Sequence, residues 1–291
     1  MPTFQPKEYL RPSTAEEVTM VLTSREGAVI IGGGTEVYEL AERGLLSETT
    51  ALVDLTGLQL DGIERKGPAL EAGASVRLSE LEDHDAVKHP SMGAVLDSLR
   101  SIHPVQVKNL ATVGGAVCSS ISFFDLPVGL AALDATVQVF GVGANQRKPR
   151  LADFMVDFLT PDLKPGEFVT GVTVEPDAYT TSAFTKFCLT GNDWAMVNCG
   201  CSLKVEGGAI ASAKVVLGGI SSGLVTAHET ADGLRGLAAE PGSQFDEPAE
   251  RLDGELRDVV SDYRASAGYR KKLAKVLLRQ ALNRALTRER G

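Results

Sequence analysis

Two glycine clusters carry the strongest chemical signal in this sequence. The first, Gly32-Gly33-Gly34-Thr35, follows the apolar run Ala28–Ile31 and precedes a helix-compatible stretch, residues 36–43, so it reads as strand, tight turn, helix. Consecutive glycines leave backbone amides unshielded, and the N-terminus of the following helix adds partial positive charge. Such a turn can curl its N–H groups around a phosphate, with the Thr35 hydroxyl as a further donor. The expected contact set runs through Ile30, Ile31, Gly32, Gly33, Gly34, Thr35, Glu36 and Val37, and a Cβ on Gly33 or Gly34 is expected to intrude where the phosphate lies. A tight glycine turn without a ligand has the same sequence.

The second cluster, Thr112-Val113-Gly114-Gly115-Ala116, again joins a hydroxyl to paired glycines. Two loops from separate parts of one domain can grip a diphosphate from both sides, which favours a dinucleotide. Asp125 opens a further helix with Pro127 in its first turn; a cap of this kind needs no ligand, yet its carboxylate can equally accept ribose hydroxyls. A nicotinamide-binding Rossmann unit is the alternative, because Gly32-x-Gly34 follows a strand and Asp54 lies about twenty residues on. Against it, Val37 stands where Gly or Ala permits close helix packing.

The elements that must position these loops alternate in type. Beyond Ala28–Ile31, strands are expected at Ala51–Asp54, residues 69–76 and residues 136–140, and helices at Leu78–Asp83, residues 91–101 and residues 125–133. A polar stretch, residues 175–181, precedes three more strand-like runs at residues 183–189, 195–205 and 209–217. Residues 236–250 read as a mobile surface loop. A closing helix over residues 263–288 carries apolar rows at helical spacing and a basic set that includes Arg270, Lys275, Arg279, Arg284 and Arg288. That basic face is either solvated or a docking surface for an acidic partner.

Composition narrows the class of function. A formal net charge of −9 argues against nucleic acid as the main partner. No run approaches the roughly 18 apolar residues of a membrane span, and residues 1–11 lack a basic segment followed by an apolar one, so no membrane insertion and a cytoplasmic location are expected. Cys118, Cys188, Cys199 and Cys201 lack metal-ligand spacing; Cys199 and Cys201 face one side of a strand and read as core. No Ser-His-Asp set or substrate acid–base pair is evident.

In their order and separation, the two glycine loops resemble those of the FAD-binding subunit or domain of the molybdenum hydroxylases. The family's A-G-G-T-D-L or G-N-T-E-I is matched by Gly33-Gly34-Thr35-Glu36-Val37, and its I-R-N-x-G-T-I-G-G-N by residues 107–116. Asp125-Leu126-Pro127 resembles the family's D-L-P, Phe184-Thr185-Lys186 its aromatic-x-Lys segment, Asn192-Asp193-Trp194-Ala195 its G-D-Y-A, and Tyr269-Arg270-Lys271-Lys272-Leu273 its Y-R-R-x-L. Lys108 and Ala116 depart from the family's arginine and asparagine.

The resemblance implies an α+β architecture: a two-subdomain FAD-binding fold of the vanillyl-alcohol-oxidase/PCMH type over residues 1–176, divided into about 1–57 and 58–176, then a C-terminal domain of antiparallel sheet plus helices over 177–291. It implies FAD on this chain, Asp125 near the ribose, Lys186 near the flavin and Trp194 shielding the ring. The resemblance also implies non-covalent binding, which sets aside His103 as a covalent anchor. Partners implied are a small iron-sulfur subunit with two [2Fe-2S] clusters and a large subunit with the molybdopterin cofactor, assembled as a dimer of heterotrimers.

Overall fold

The computed structural model of the chain describes residues 4–289. The first unit contains β1 (Glu8–Leu10), α1 (Ala15–Ser24), β2 (Ala28–Ile31), α2 (Thr35–Glu42) and β3 (Ala51–Asp54), with the strands parallel in the order β1-β3-β2. Helix α1 starts at Thr14, whose hydroxyl accepts the Glu17 amide, and Glu16 and Glu17 in its first turn suit the positive end of the helix. This parallel sheet has three strands and the next sheet is antiparallel, so the open doubly wound sheet of a Rossmann domain is not formed.

Asp54 closes the turn after β3 rather than facing a ribose. Its carboxylate accepts the Tyr9 hydroxyl at 2.6 Å and the Thr56 amide at 2.8 Å. Burial works to raise this carboxyl, but the bonds from Tyr9 and Thr56 outweigh it and hold it below its usual range. A depressed folded-state value contributes stability above the unfolded carboxylate range, about pH 4, and that stability is lost as pH falls through the folded value. Tyr9→Phe is therefore expected to shift the acid-unfolding midpoint upward, as followed by circular dichroism between about pH 5 and pH 2.

The second unit carries β4 (Ile63–Lys66), β5 (Ala69–Gly73), a run of short helices α3 (Leu78–Asp83), α4 (Gly93–Arg100), α5 (Val105–Leu110), α6 (Val113–Cys118) and α7 (Asp125–Ala131), then β6 (Thr136–Gly141), β7 (Asn145–Arg147), α8 (Leu151–Phe154), β8 (Met155–Asp157), β9 (Thr160–Pro161) and β10 (Phe168–Val174). Its main sheet runs β4-β5-β10-β6-β7 and is antiparallel. Strand β10, absent from the expected elements, sits at the centre. Gly171 breaks its apolar pattern at a register shift against β6, which is where a bulge places a glycine.

Leu70, Val137, Val139 and Val172 of this sheet share one core with Val95 and Leu99 of α4 and Leu126 and Leu130 of α7. Val18, Val53 and Leu55 of the first unit pack with Phe140 and Phe168, which joins the parallel unit to the antiparallel sheet.

The third unit is an antiparallel sheet, β11 (Thr181–Phe187), β12 (Val197–Glu206), β13 (Ala209–Gly218) and β14 (Val225–Thr226), with α9 (His228–Asp232), α10 (Asp246–Glu255) and α11 (Ala267–Glu289). Ala274, Leu277, Leu278, Ala281 and Leu282 of α11 pack with Cys199, Cys201 and Leu217. Burial pushes both thiols up, Cys201 to about 12, so they behave as small apolar side chains.

Two expectations fail in this unit. Residues 236–250 are not a mobile loop: Phe245 is fully buried, and α10 follows it with Ala249 and Leu252 in the same core. Those apolar residues are separated by charged ones, so their common face emerges only in the folded helix.

The basic face of α11 is largely engaged within the chain. Arg270 is buried and donates to the carbonyls of Met196 and Gly219 and to Asp262. Lys275 pairs with Glu250 and Asp253, Arg279 lies 3.5 Å from Asp246, Arg284 donates to the Phe184 carbonyl, and Arg288 pairs with Asp97. Among the described residues no helix is long and apolar enough to cross a membrane.

Candidate functional site

A cleft of about 490 Å³ opens between the first turn of α2, the loops around α5 and α6, the start of α7 and residues 186–194. Its size falls within the ~300–1,000 Å³ typical of small-molecule sites. Residues about 160 positions apart in sequence share its walls, Thr35 on one side and Trp194 on the other.

The glycines bring the two loops into close contact. A Cβ on Gly33 would lie 1.6 Å from the Leu110 carbonyl oxygen, and one on Gly32 would lie 2.6 Å from Thr112 Oγ1. These residues are small because another loop occupies the space, which corrects the expectation that a Cβ on Gly33 would point at a phosphate. Gly34 has φ +77°, a conformation side chains rarely adopt, and no side chain caps α2 there.

The two loops use their amides differently. In the second, Val113 N–H donates to the Val76 carbonyl at 2.9 Å, Gly114 N–H to the Ala74 carbonyl at 2.9 Å, Gly115 N–H to Thr112 Oγ1 at 3.1 Å and Ala116 N–H to the Thr112 carbonyl at 2.9 Å. All four donors are engaged. In the first loop, helix geometry leaves the amides of Thr35, Glu36 and Val37 without intrahelical partners, and all three residues line the cleft. Anion-binding capacity therefore resides at the N-terminus of α2, with the second loop serving as a wall.

Beneath the cleft, Lys186 and Asp125 form a buried ion pair. Lys186 Nζ lies 2.7 Å from Asp125 Oδ2 and 2.8 Å from the Ser101 carbonyl, and Asp125 also accepts Ser101 Oγ at 2.9 Å and Asn198 Nδ2 at 3.3 Å. Burial pushes the aspartate carboxyl up, and Lys186, Ser101 and Asn198 oppose it. Both charges largely cancel inside the protein, and the pair ties β11 to the start of α7.

An aromatic wall closes the far end. Phe123 lies 5.4 Å from Trp194 between ring centroids, Phe124 lies 6.4 Å from it, and Phe158 stacks on Phe123 at 6.2 Å. Arg43, just beyond α2, sits over the indole at 5.4 Å and is ion-paired with Glu39. Half-buried Glu36 has its carboxyl pushed up by burial, with Glu39 reinforcing and Arg43 opposing the shift.

Of the residues expected at the site, Ile30, Gly32, Gly33, Gly34, Thr35, Glu36, Val37, Thr112, Gly115, Ala116, Asp125, Lys186 and Trp194 line the cleft. Ile31, Val113 and Gly114 do not. Ile31 packs beneath the glycine turn, its Cδ1 3.5 Å from where a Cβ on Gly34 would lie; Val113 is fully buried in the core; a Cβ on Gly114 would lie 2.7 Å from that of Ala74.

Sequence reasoning missed Ser101 and Asn198, which hold Asp125, and the wall of Phe123 and Phe124. Adjacent phenylalanines just before a helix start were the available signal. Lys108 turns away from the cleft to pair with Glu82, so its departure from the family's arginine does not reach the cleft lining. Ala116 does line it, and His103 stands at its edge.

Free amides at a helix start, an aromatic cluster and a connecting cleft suit a ligand with a phosphate at one end and a ring at the other. Residues 2–176 match the FAD binding domain in molybdopterin dehydrogenase, and residues 182–285 match the CO dehydrogenase flavoprotein C-terminal domain. The chain belongs to this family of molybdopterin-dehydrogenase flavoproteins.

It is 26% identical over 285 residues to the glyceraldehyde dehydrogenase medium chain of Sulfolobus acidocaldarius, covering 94% of this chain and 96% of that one. Identity is also 26% over 293 residues with the carbon monoxide dehydrogenase medium chain of Afipia carboxidovorans, covering 98% of each. Quinoline 2-oxidoreductase from Pseudomonas putida 86 contains a chain of the same fold, with TM-score 0.88, 26% identity and 98% coverage of both chains.

Proposed function

We propose that this chain is the FAD-carrying medium subunit of a molybdenum hydroxylase complex. The observation that carries the reading is the polarity of the cleft: unengaged amides at the α2 N-terminus on one side, the aromatic wall around Trp194 on the other. Thr35, Glu36 and Val37 amides hold the pyrophosphate, Thr112, Gly115 and Ala116 wall it in, and Trp194 covers the ring. Asp125 and Lys186 act as one neutral unit that sets the cleft floor. Bound FAD supplies the exchange between one- and two-electron chemistry that no side chain of this protein provides.

Partners complete the enzyme. A small subunit with two [2Fe-2S] clusters and a large subunit with the molybdopterin cofactor assemble with this chain as a dimer of heterotrimers in the cytoplasm. Substrate is oxidised on the large subunit, and the electrons leave from this chain to an external acceptor. The medium-chain relatives support this assignment.

Purification with native partners, followed by flavin absorbance at about 450 nm and metal analysis, tests it. One FAD per chain together with molybdenum and iron is the expected result. A complex without flavin would overturn the reading, and substrate-dependent bleaching by the isolated chain would favour a free-standing oxidoreductase.

A further inference from the structure

Arg270, in the run Tyr269-Arg270-Lys271-Lys272-Leu273 near the start of α11, is only 3% exposed, and its guanidinium ends on main chain. Nη1 donates to the carbonyls of Met196 and Gly219, the latter at 3.0 Å, and Nη2 donates to Asp262 at 2.8 Å. Asp262 also accepts the amides of Arg264 and Ala265, at 2.9 and 3.0 Å, which fixes the turn that carries Arg264. Arg264 reaches the same segment: its Nη2 donates to the Ala195 carbonyl at 2.8 Å and lies 3.4 Å from that of Trp194. The successive carbonyls of Trp194, Ala195 and Met196 are thus all held by cations at the entry to α11.

Here the chain passes from cleft lining to core. Residues 189–194 are exposed, Ala195 and Met196 are buried, and the Met196 amide closes the base of the segment on the Phe187 carbonyl at 2.7 Å. The carbonyls that the arginines hold are therefore the points at which the direction of the indole is set. A side chain that only filled the core would not need a guanidinium: Arg270 Nε is buried without a partner, a cost that an apolar residue in the same space avoids.

We propose that Arg264 and Arg270, organised by Asp262, are positioning residues that clamp the backbone of residues 194–196 so that the Trp194 indole lines the cleft; their role toward a ligand rests on the flavin reading of that cleft. Both act through the main chain. The bonds of Arg264 go to carbonyls rather than to the ring, so a change in the surroundings of the indole on its removal reports a moved segment and not a lost side-chain contact.

The test titrates the full chain, Arg264→Met, Trp194→Ala and the double variant with FAD, and follows the emission of Trp194, the chain's single tryptophan, before any ligand is added. Thermal melts confirm folding, and Arg264→Gln, too short to reach the carbonyl, takes the place of a methionine variant that does not fold. Arg264→Met is expected to give red-shifted, more readily acrylamide-quenched emission and about three- to tenfold weaker FAD binding, the worth of about one hydrogen bond. In the Trp194→Ala background the same change should cost less than about twofold. Unchanged emission and quenching in Arg264→Met overturns the clamp, as does an equal loss of affinity with and without the indole, which would assign the loss to charge. If the wild-type chain takes up no FAD, the flavin reading fails, and emission alone decides whether the arginines hold the indole.

Discussion

Gly33→Val is expected to destabilise the protein by about 3 kcal/mol or more and to abolish flavin retention, because its Cβ would stand 1.6 Å from the Leu110 carbonyl oxygen. Backbone cannot move aside as a side-chain tip can, so the two loops must separate and the cleft loses its shape. Gly115→Val supplies the contrast. There a Cβ meets only Thr112 Oγ1, at 3.1 Å, in an exposed helical position facing the cleft. Valine should fold there with stability changed by less than about 1 kcal/mol while still blocking the ligand. Denaturant melts paired with flavin content separate the two effects. Flavin content at the wild-type level in Gly115→Val would remove the second loop from the site.

Lys186→Met should be comparably severe for stability. It leaves Asp125 buried without its cation, and breaking one side of a buried pair costs about 3–5 kcal/mol. The double variant Lys186→Met/Asp125→Asn removes both charges and keeps an amide for Ser101 and Asn198, so most of the loss should return. Chemical denaturation of the two single variants and the double variant measures the coupling. Additive losses would show that the pair does not act as a unit. Because the lysine charge is already countered by Asp125, the pair is expected to influence a bound ring through position more than through net charge.

Much of the site is legible in the sequence because glycine, threonine and proline act locally. Gly34 marks a left-handed turn and Thr112 a helix cap through short-range geometry alone, and the apolar runs 183–189 and 195–205 read as strands from their own composition. Strand β10 was hidden because Gly171 interrupts its pattern, and the helix after Phe245 because few apolar residues mark it. The basic face of α11 illustrates the opposite error: the sequence displays the cations, but their acidic partners, such as Asp97 for Arg288, lie far away along the chain.

The sequence by itself determined where the chain turns, which segments are apolar and that two glycine loops are present. Only the tertiary structure decided which loop retains donors for a ligand. Val76 and Ala74, more than 35 residues upstream, take the amides of Val113 and Gly114, while no side chain caps α2 at Gly34. A hydrogen bond depends on the position of its partner, and for these residues the partner is set by packing rather than by neighbours in sequence.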